Sequence, residues 1–292
     1  MHGGKYHTGI IGFSGWCDAG AVVQNTVNHI ISSCEAEELE KWELDSFLHS
    51  DRERPQIKIE HGIVRGLSWP AMTFYRLRAR TMDKLLIAFG PEPSTNWRIF
   101  SRELINRLDN YGIRRIVLLG SLYDQIFHDE VFVSAVVMTP AALNVAKSAG
   151  CRLIQYEGPA AVHGAVMMEA QNNRNMETIA IWSHVPFYLK GPHEKAMVVM
   201  LDVLSRMTAV NFPHGNLDRQ WAIRLKQLEK LLQEDEELRN LIETLKHQSH
   251  QPFRALPGAP PSLNAPESPP KIIHIDDFIK KKRENDLSSQ DD

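Results

Sequence analysis

Cysteine is scarce in this chain. Three residues, Cys17, Cys34 and Cys151, among 292 are an odd number without C-x-x-C spacing, which argues against a disulfide framework and a thiolate zinc site. A reducing, cytoplasmic compartment is the expectation. No apolar run approaches the ~20 residues that a membrane span needs, and Met1-His2-Gly3-Gly4-Lys5-Tyr6-His7 lacks the basic-then-apolar order of a secretory signal. Charge excess is missing as well. The 33 basic and 36 acidic side chains leave a net charge of −3, so neither nucleic acid nor an anionic membrane is an expected partner.

Several chemical signatures are also lacking. There is no G-x-x-x-x-G-K-[ST] and no G-x-G-x-x-G after a strand, which removes the two common phosphate cradles. Gly12-Phe13-Ser14-Gly15 does not have the G-x-S-x-G spacing of a nucleophile elbow. Thirteen histidines are present, yet no H-x-x-x-H or H-E-x-x-H pair shares a helical face, so no metal site and no cofactor are expected.

What is present is alternation. Thr8–Phe13, Ile57–Ile59, Phe74–Leu77, Leu85–Phe89, Ile116–Leu119, Val131–Val137 and Thr178–Trp182 read as strands, several apolar throughout, as strands covered on both faces are. Between them, 20–31, 94–111, 140–149, 160–172 and 192–207 read as helices. This order predicts a three-layer α/β/α core with a largely parallel sheet over residues 1–213. The Met- and Leu-rich helix 192–207 is a candidate oligomer surface.

Beyond the core the texture changes. Trp221, Leu225, Leu228 and Leu232 follow helical spacing, and Leu238, Leu241, Ile242 and Leu245 resume it, which predicts a helical hairpin over 214–249. Each stripe is too short to stand alone and must bury against the core or a partner. Seven of the sixteen prolines fall within 250–270, a composition that predicts a disordered linker. The end, 271–292, holds an apolar motif, Ile272–Ile279, suited to docking on a sheet edge or a partner, and a charged tail.

Small motifs recur in order along the core. They are Gly15-Trp16-Cys17-Asp18-Ala19-Gly20, Gly90-Pro91-Glu92-Pro93 with Trp97 and Phe100, Leu119-Gly120-Ser121-Leu122, Tyr156-Glu157-Gly158-Pro159, and Ile181 through Leu189. In this order and spacing, from about Thr8 to Phe212, the chain resembles the proteasome assembly chaperone 2 family, with its bacterial and archaeal members. The resemblance implies a fold like that of purine nucleoside phosphorylases, homo-oligomeric assembly, and a protein partner, with a proteasome-type assembly as the candidate. Where many relatives have Pro-His-Thr-Arg-Pro, this chain reads Phe127-His128-Asp129-Glu130-Val131 and keeps only the histidine.

In an open parallel sheet the loops after the strands meet at the carboxyl edge, where clefts form. Trp16, Asp18, Glu92, Trp97, Tyr123, His128, Tyr156, Glu157 and His184 sit on such loops or just beyond strands and are the candidate binding surface. Trp16, Trp97 and Trp182 are also candidates for packing between helices and sheet, and Asp18 for a helix cap. No catalytic residue stands out. A protein-binding chaperone or adaptor is the leading expectation. The alternative is a small-molecule enzyme, nucleoside hydrolase- or phosphorylase-like or carboxylate-amine ligase-like, using the carboxyl-edge cleft.

Overall fold

The computed structural model describes residues 7–51, 53–77, 84–174, 176–234, 236, 239–240, 242–243 and 273–274. In chain order the first half holds β1 (Thr8–Ser14), α1 (Val22–Ser33), β2 (Ala36–Glu43), β3 (Gln56–Glu60), β4 (Ile63–Ser68), β5 (Ala71–Leu77), β6 (Leu85–Pro91) and α2 (Trp97–Asn110). Then come β7 (Arg115–Asp124), β8 (Phe132–Val137), α3 (Pro140–Ser148), β9 (Arg152–Leu153), α4 (Val162–Arg174), β10 (Glu177–Pro186), β11 (Leu189–Lys190), α5 (Glu194–Thr208), α6 (Leu217–Glu234) and β12 (Ile273–His274).

Eight strands form one mixed, mostly parallel sheet in the order β2-β5-β6-β1-β7-β10-β8-β9. β6, β1, β7 and β10 run parallel at its centre; on one side β5 is antiparallel to both β6 and β2, and on the other β8 is antiparallel to β10 and parallel to β9. Alternate side chains of the central strands feed two cores. Ile10, Val117 and Ile179 pack with α1, α3 and α5 on one face, and Ile11, Leu118 and Ala180 with α2 and α4 on the other. That double cover is why these strands read as continuous apolar runs.

Three departures from the sequence reading have physical causes. Ile57–Ile59 is a strand but not a core strand: β3 pairs only with β4, in a separate two-stranded sheet. The sheet edge is instead β2, whose Ala-Glu-Glu-Leu-Glu-Lys-Trp-Glu composition favours helix and is overridden by antiparallel pairing with β5. The helix α5 is not a free apolar surface, since Met197, Met200, Leu201 and Leu204 are buried within the chain.

Helix α6 packs along α5. Its buried residues are Leu217, Trp221, Leu228 and Leu231, with Leu225 and Leu232 half-buried. Leu228, Leu231 and Ile242 join Tyr188 and Leu189 in a small third cluster. Leu238, Leu241 and Leu245 lie outside the described residues, as do the linker 250–270 and residues 272 and 275–279 of the apolar motif. The remaining two residues of that motif are β12, which pairs in parallel with β11, Leu189 with Ile273 and Lys190 with His274.

Candidate functional site

The loop after β1 makes a sharp exit, with Gly15 at φ +112°, where a side chain would be strained. This turn carries Asp18 back over the sheet. Its Oδ1 accepts the Val23 N–H at 2.7 Å and its Oδ2 the Gln24 N–H at 3.1 Å, so the carboxylate satisfies first-turn donors of α1. The Ser121 hydroxyl lies 3.1 Å from Asp18 Oδ1 and 2.9 Å from the Ala19 carbonyl. Tyr123 Oη accepts the Gly20 N–H at 3.2 Å. Asp18, Ser121 and Tyr123 therefore form one unit that ties the β1–α1 loop to β7. Burial pushes the Asp18 carboxyl above its ordinary range, opposed by these bonds.

A second unit lies on the other side of the same loop. Glu92, just after β6, accepts the Val162 N–H at 3.0 Å and so caps α4, with the Cys17 thiol beside it. Burial raises the Glu92 carboxyl, and burial with Glu92 and Asp18 nearby raises the Cys17 thiol well above the thiol range. A thiol held protonated in this way is a poor nucleophile. At the second position of α4, His163 donates from Nε2 to the Leu119 carbonyl at 2.8 Å and leaves a buried Nδ1 without a partner. Its ring meets Phe13 and Trp182, and burial lowers it to about 4.

His184 belongs to a third unit. Its Nδ1 donates to Asp124 Oδ2 at 2.8 Å, which leaves Nε2 to accept the Ser134 hydroxyl, also at 2.8 Å. The order of groups is that of a serine hydrolase triad. Ser134 and His184 are both fully buried, and Phe132 stacks on the imidazole with Arg152 over the far side of the phenyl ring. The arrangement joins β7, β10 and β8 across the sheet, with the serine hydroxyl and the imidazole both shielded from solvent.

His128 lies apart from these. Its Nδ1 accepts the Tyr188 hydroxyl at 2.9 Å, and the same oxygen accepts the His128 N–H at 2.9 Å. Near it His193 caps α5 through Nδ1, stacks on Trp221, and is lowered to about 3 by burial, with His128 and Arg224 adding to the shift. Trp97 donates its indole N–H to the Pro93 carbonyl at 2.6 Å. Tyr156 turns its hydroxyl to the Pro159 carbonyl at 2.8 Å, closing a loop in which Glu157 is exposed.

Among the nine candidate residues, Asp18 and Tyr123 share one bonded unit and Glu92 adjoins it through Cys17, whereas His128, His184, Trp97 and Tyr156 are each bonded within a unit of their own. A cleft of about 850 Å³ lies elsewhere, at the edge of the sheet between β2 and the root of the β3–β4 hairpin, lined by Trp42, Glu43, Leu67, Trp69 and Arg107 among others. None of the nine lines it. Trp16 is 57 % exposed rather than packed between helix and sheet, and Tyr156 is 38 % exposed. Among the described residues no group of three or more His, Cys, Asp or Glu side chains is placed to hold a metal ion.

Sequence reasoning did not single out Ser121, Asp124, Ser134 or Tyr188, the bonding partners of Asp18, His184 and His128, nor the buried His163. Ser121 was within reach as part of Leu119-Gly120-Ser121-Leu122. Ser134 on an apolar strand and His163 on an apolar helix face are marked only by polarity where burial is expected.

Strand order, double helical cover and polar stitching at the strand ends define a three-layer α/β protein with a mixed, mostly parallel sheet. The PAC2 family model matches residues 12–232, and the chain belongs to the PAC2 family. Among solved structures, a proteasome-assembly chaperone homologue of Mycobacterium tuberculosis is similar at a TM-score of 0.72 and 27 % identity, over 80 % of this chain and 99 % of that one. A PAC2 family protein of Streptomyces avermitilis gives 0.68 and 24 %, over 77 % and 95 %. PbaB of Pyrococcus furiosus, an archaeal proteasome activator, gives 0.61 and 18 %, over 78 % and 94 %. No curated protein sequence matches the chain.

Proposed function

We propose that this protein is a proteasome-assembly-chaperone-like binding protein that works as a homo-oligomer in the cytoplasm and recognises a protein partner of proteasome type. Membership of the PAC2 family over residues 12–232 carries the reading. The polar groups at the carboxyl edge support it, because Asp18, Glu92, His163 and His184 are engaged in helix caps and strand-to-strand bonds. A catalytic site needs a base held against substrate by partners; among the described residues the exposed Glu157 has no such partner group beside it in the bonds of this edge, and the large apolar side chains exposed there are the aromatic Trp16 and Tyr156, the side-chain type that anchors protein interfaces. No described helix is long and apolar enough to cross a membrane.

The competing reading is a small-molecule enzyme. A thermal-shift screen with nucleosides, nucleotides, carboxylates and amines separates the two, because a specific ligand raises stability by RT ln(1 + [L]/Kd). No shift is expected. A saturable shift accompanied by turnover would replace the binding-protein reading with the enzymatic one.

A further inference from the structure

The β3–β4 hairpin is amphipathic, and no other described element covers it. His61 and Gly62 both have positive φ, as a type I′ turn requires. Register places Ile57 opposite Leu67 and Ile59 opposite Val64, so these four share one face. The other face is charged and self-satisfied, Lys58 at 2.8 Å and Arg65 at 3.5 Å from the Glu60 carboxylate. On the apolar face Ile57, Ile59, Val64 and Leu67 are each more than half exposed, and Trp69 at the root is 42 % exposed; Ile63, also exposed, stands opposite Glu60 on the other face. Among the described residues the two strands pack on each other and on no other element beyond isolated contacts.

A two-stranded hairpin alone in water is marginal at best. An apolar face of this size, on the order of 500 Å², marks an interaction surface. Charge does not select a foreign partner, since the apolar face carries none and the opposite face is internally paired. Area favours a copy of the same chain. A standard interface removes about 800 Å² from each partner; one arm given to a foreign protein falls short of that. In a two-fold pair each copy gives an arm and receives one across the same interface, which brings the surface removed per chain there to about 1,000 Å².

We infer that the β3–β4 hairpin is an oligomerisation arm whose apolar face packs on a second copy of this chain. The inference rests on the oligomeric reading above and assigns it an interface. Light scattering at micromolar concentration on the full-length protein tests it, comparing wild type, Ile57→Ser with Val64→Ser, and a chain in which residues 56–68 are replaced by a short Gly-Ser link. Because the arm touches little else, both variants should keep the wild-type circular dichroism spectrum. The wild type should exceed the 33.3 kDa monomer mass, and the variants should be monomers, with self-association weakened at least a hundredfold. A wild-type oligomer unchanged in both variants overturns the arm alone and leaves the oligomeric reading standing. A wild-type monomer overturns both.

Discussion

Gly120 of β7 lies beneath the indole of Trp182, its register partner on β10, so closely that a Cβ at position 120 would stand 2.5 Å from the ring. The ring has little room to withdraw, because its neighbour is the buried imidazole of His163. Gly120→Ala should cost about 1–3 kcal/mol, as overpacking does. Denaturant titration checks this, and the loss should shrink in a Trp182→Leu background, since the pair interacts directly.

Asp18 holds a helix start and a strand together, so Asp18→Ala removes an acceptor from two amides and one hydroxyl. A loss of about 1–2 kcal/mol is expected. Asp18→Asn should be milder, because burial already disfavours the charge of the native carboxylate. Equilibrium unfolding of both variants at pH 7 makes the comparison.

Acid should weaken the fold through His163 and His193. Both are lowered in the folded protein, to about 4 and about 3, by burial, whereas the unfolded chain takes up a proton near 6.5. Between those values the unfolded state binds more protons, so stability falls as pH drops from about 7 toward 4. Each histidine should account for about 1–2 kcal/mol by pH 5. Asp18 and Glu92 act the other way, since their raised carboxyls lose stability as pH rises through the folded values. Unfolding measured from pH 7 to 5 should show a smaller decline in His163→Gln than in wild type.

Ser134 should be chemically silent despite its triad-like partners. Its hydroxyl is fully buried beneath a stacked Phe132 and His184, and a nucleophile without access does not acylate. A fluorophosphonate probe should leave the native protein unlabelled. Ser134→Ala and His184→Ala should lower the melting temperature instead, because each strands a buried polar partner.

Much of the fold was legible in the sequence because the central strands are covered on both faces and are apolar at nearly every position, as in Ile116–Leu119. β2 was not, since Glu37, Glu38, Glu40 and Lys41 carry no period-two apolar pattern, and the ion pairs of Glu37 with Arg76 and of Glu40 with Arg107 exist only after the chain has folded. Ile57–Ile59 read as a core strand for the opposite reason. Its alternation is that of a half-buried strand, and nothing local says whether the burying surface belongs to the same chain. At the carboxyl edge the loop residues were visible by position, but their grouping was not. Asp18 meets Ser121 across 103 residues and Glu92 meets Val162 across 70, and a single sequence does not encode such pairs at any readable spacing.

The central claim is that the chain acts by binding a protein partner, and co-purification from the native cell tests it most directly. Tagged wild-type protein and a Trp16→Ala, Tyr156→Ala variant with an unchanged melting temperature would be recovered in parallel and their partners identified and quantified by mass spectrometry. The account predicts near-stoichiometric recovery of a proteasome-type component with the wild type and at least tenfold less with the variant, because exposed aromatic anchors carry a large share of interface energy. Wild-type protein recovered without any protein partner, under conditions in which it turns over a small molecule, would contradict it.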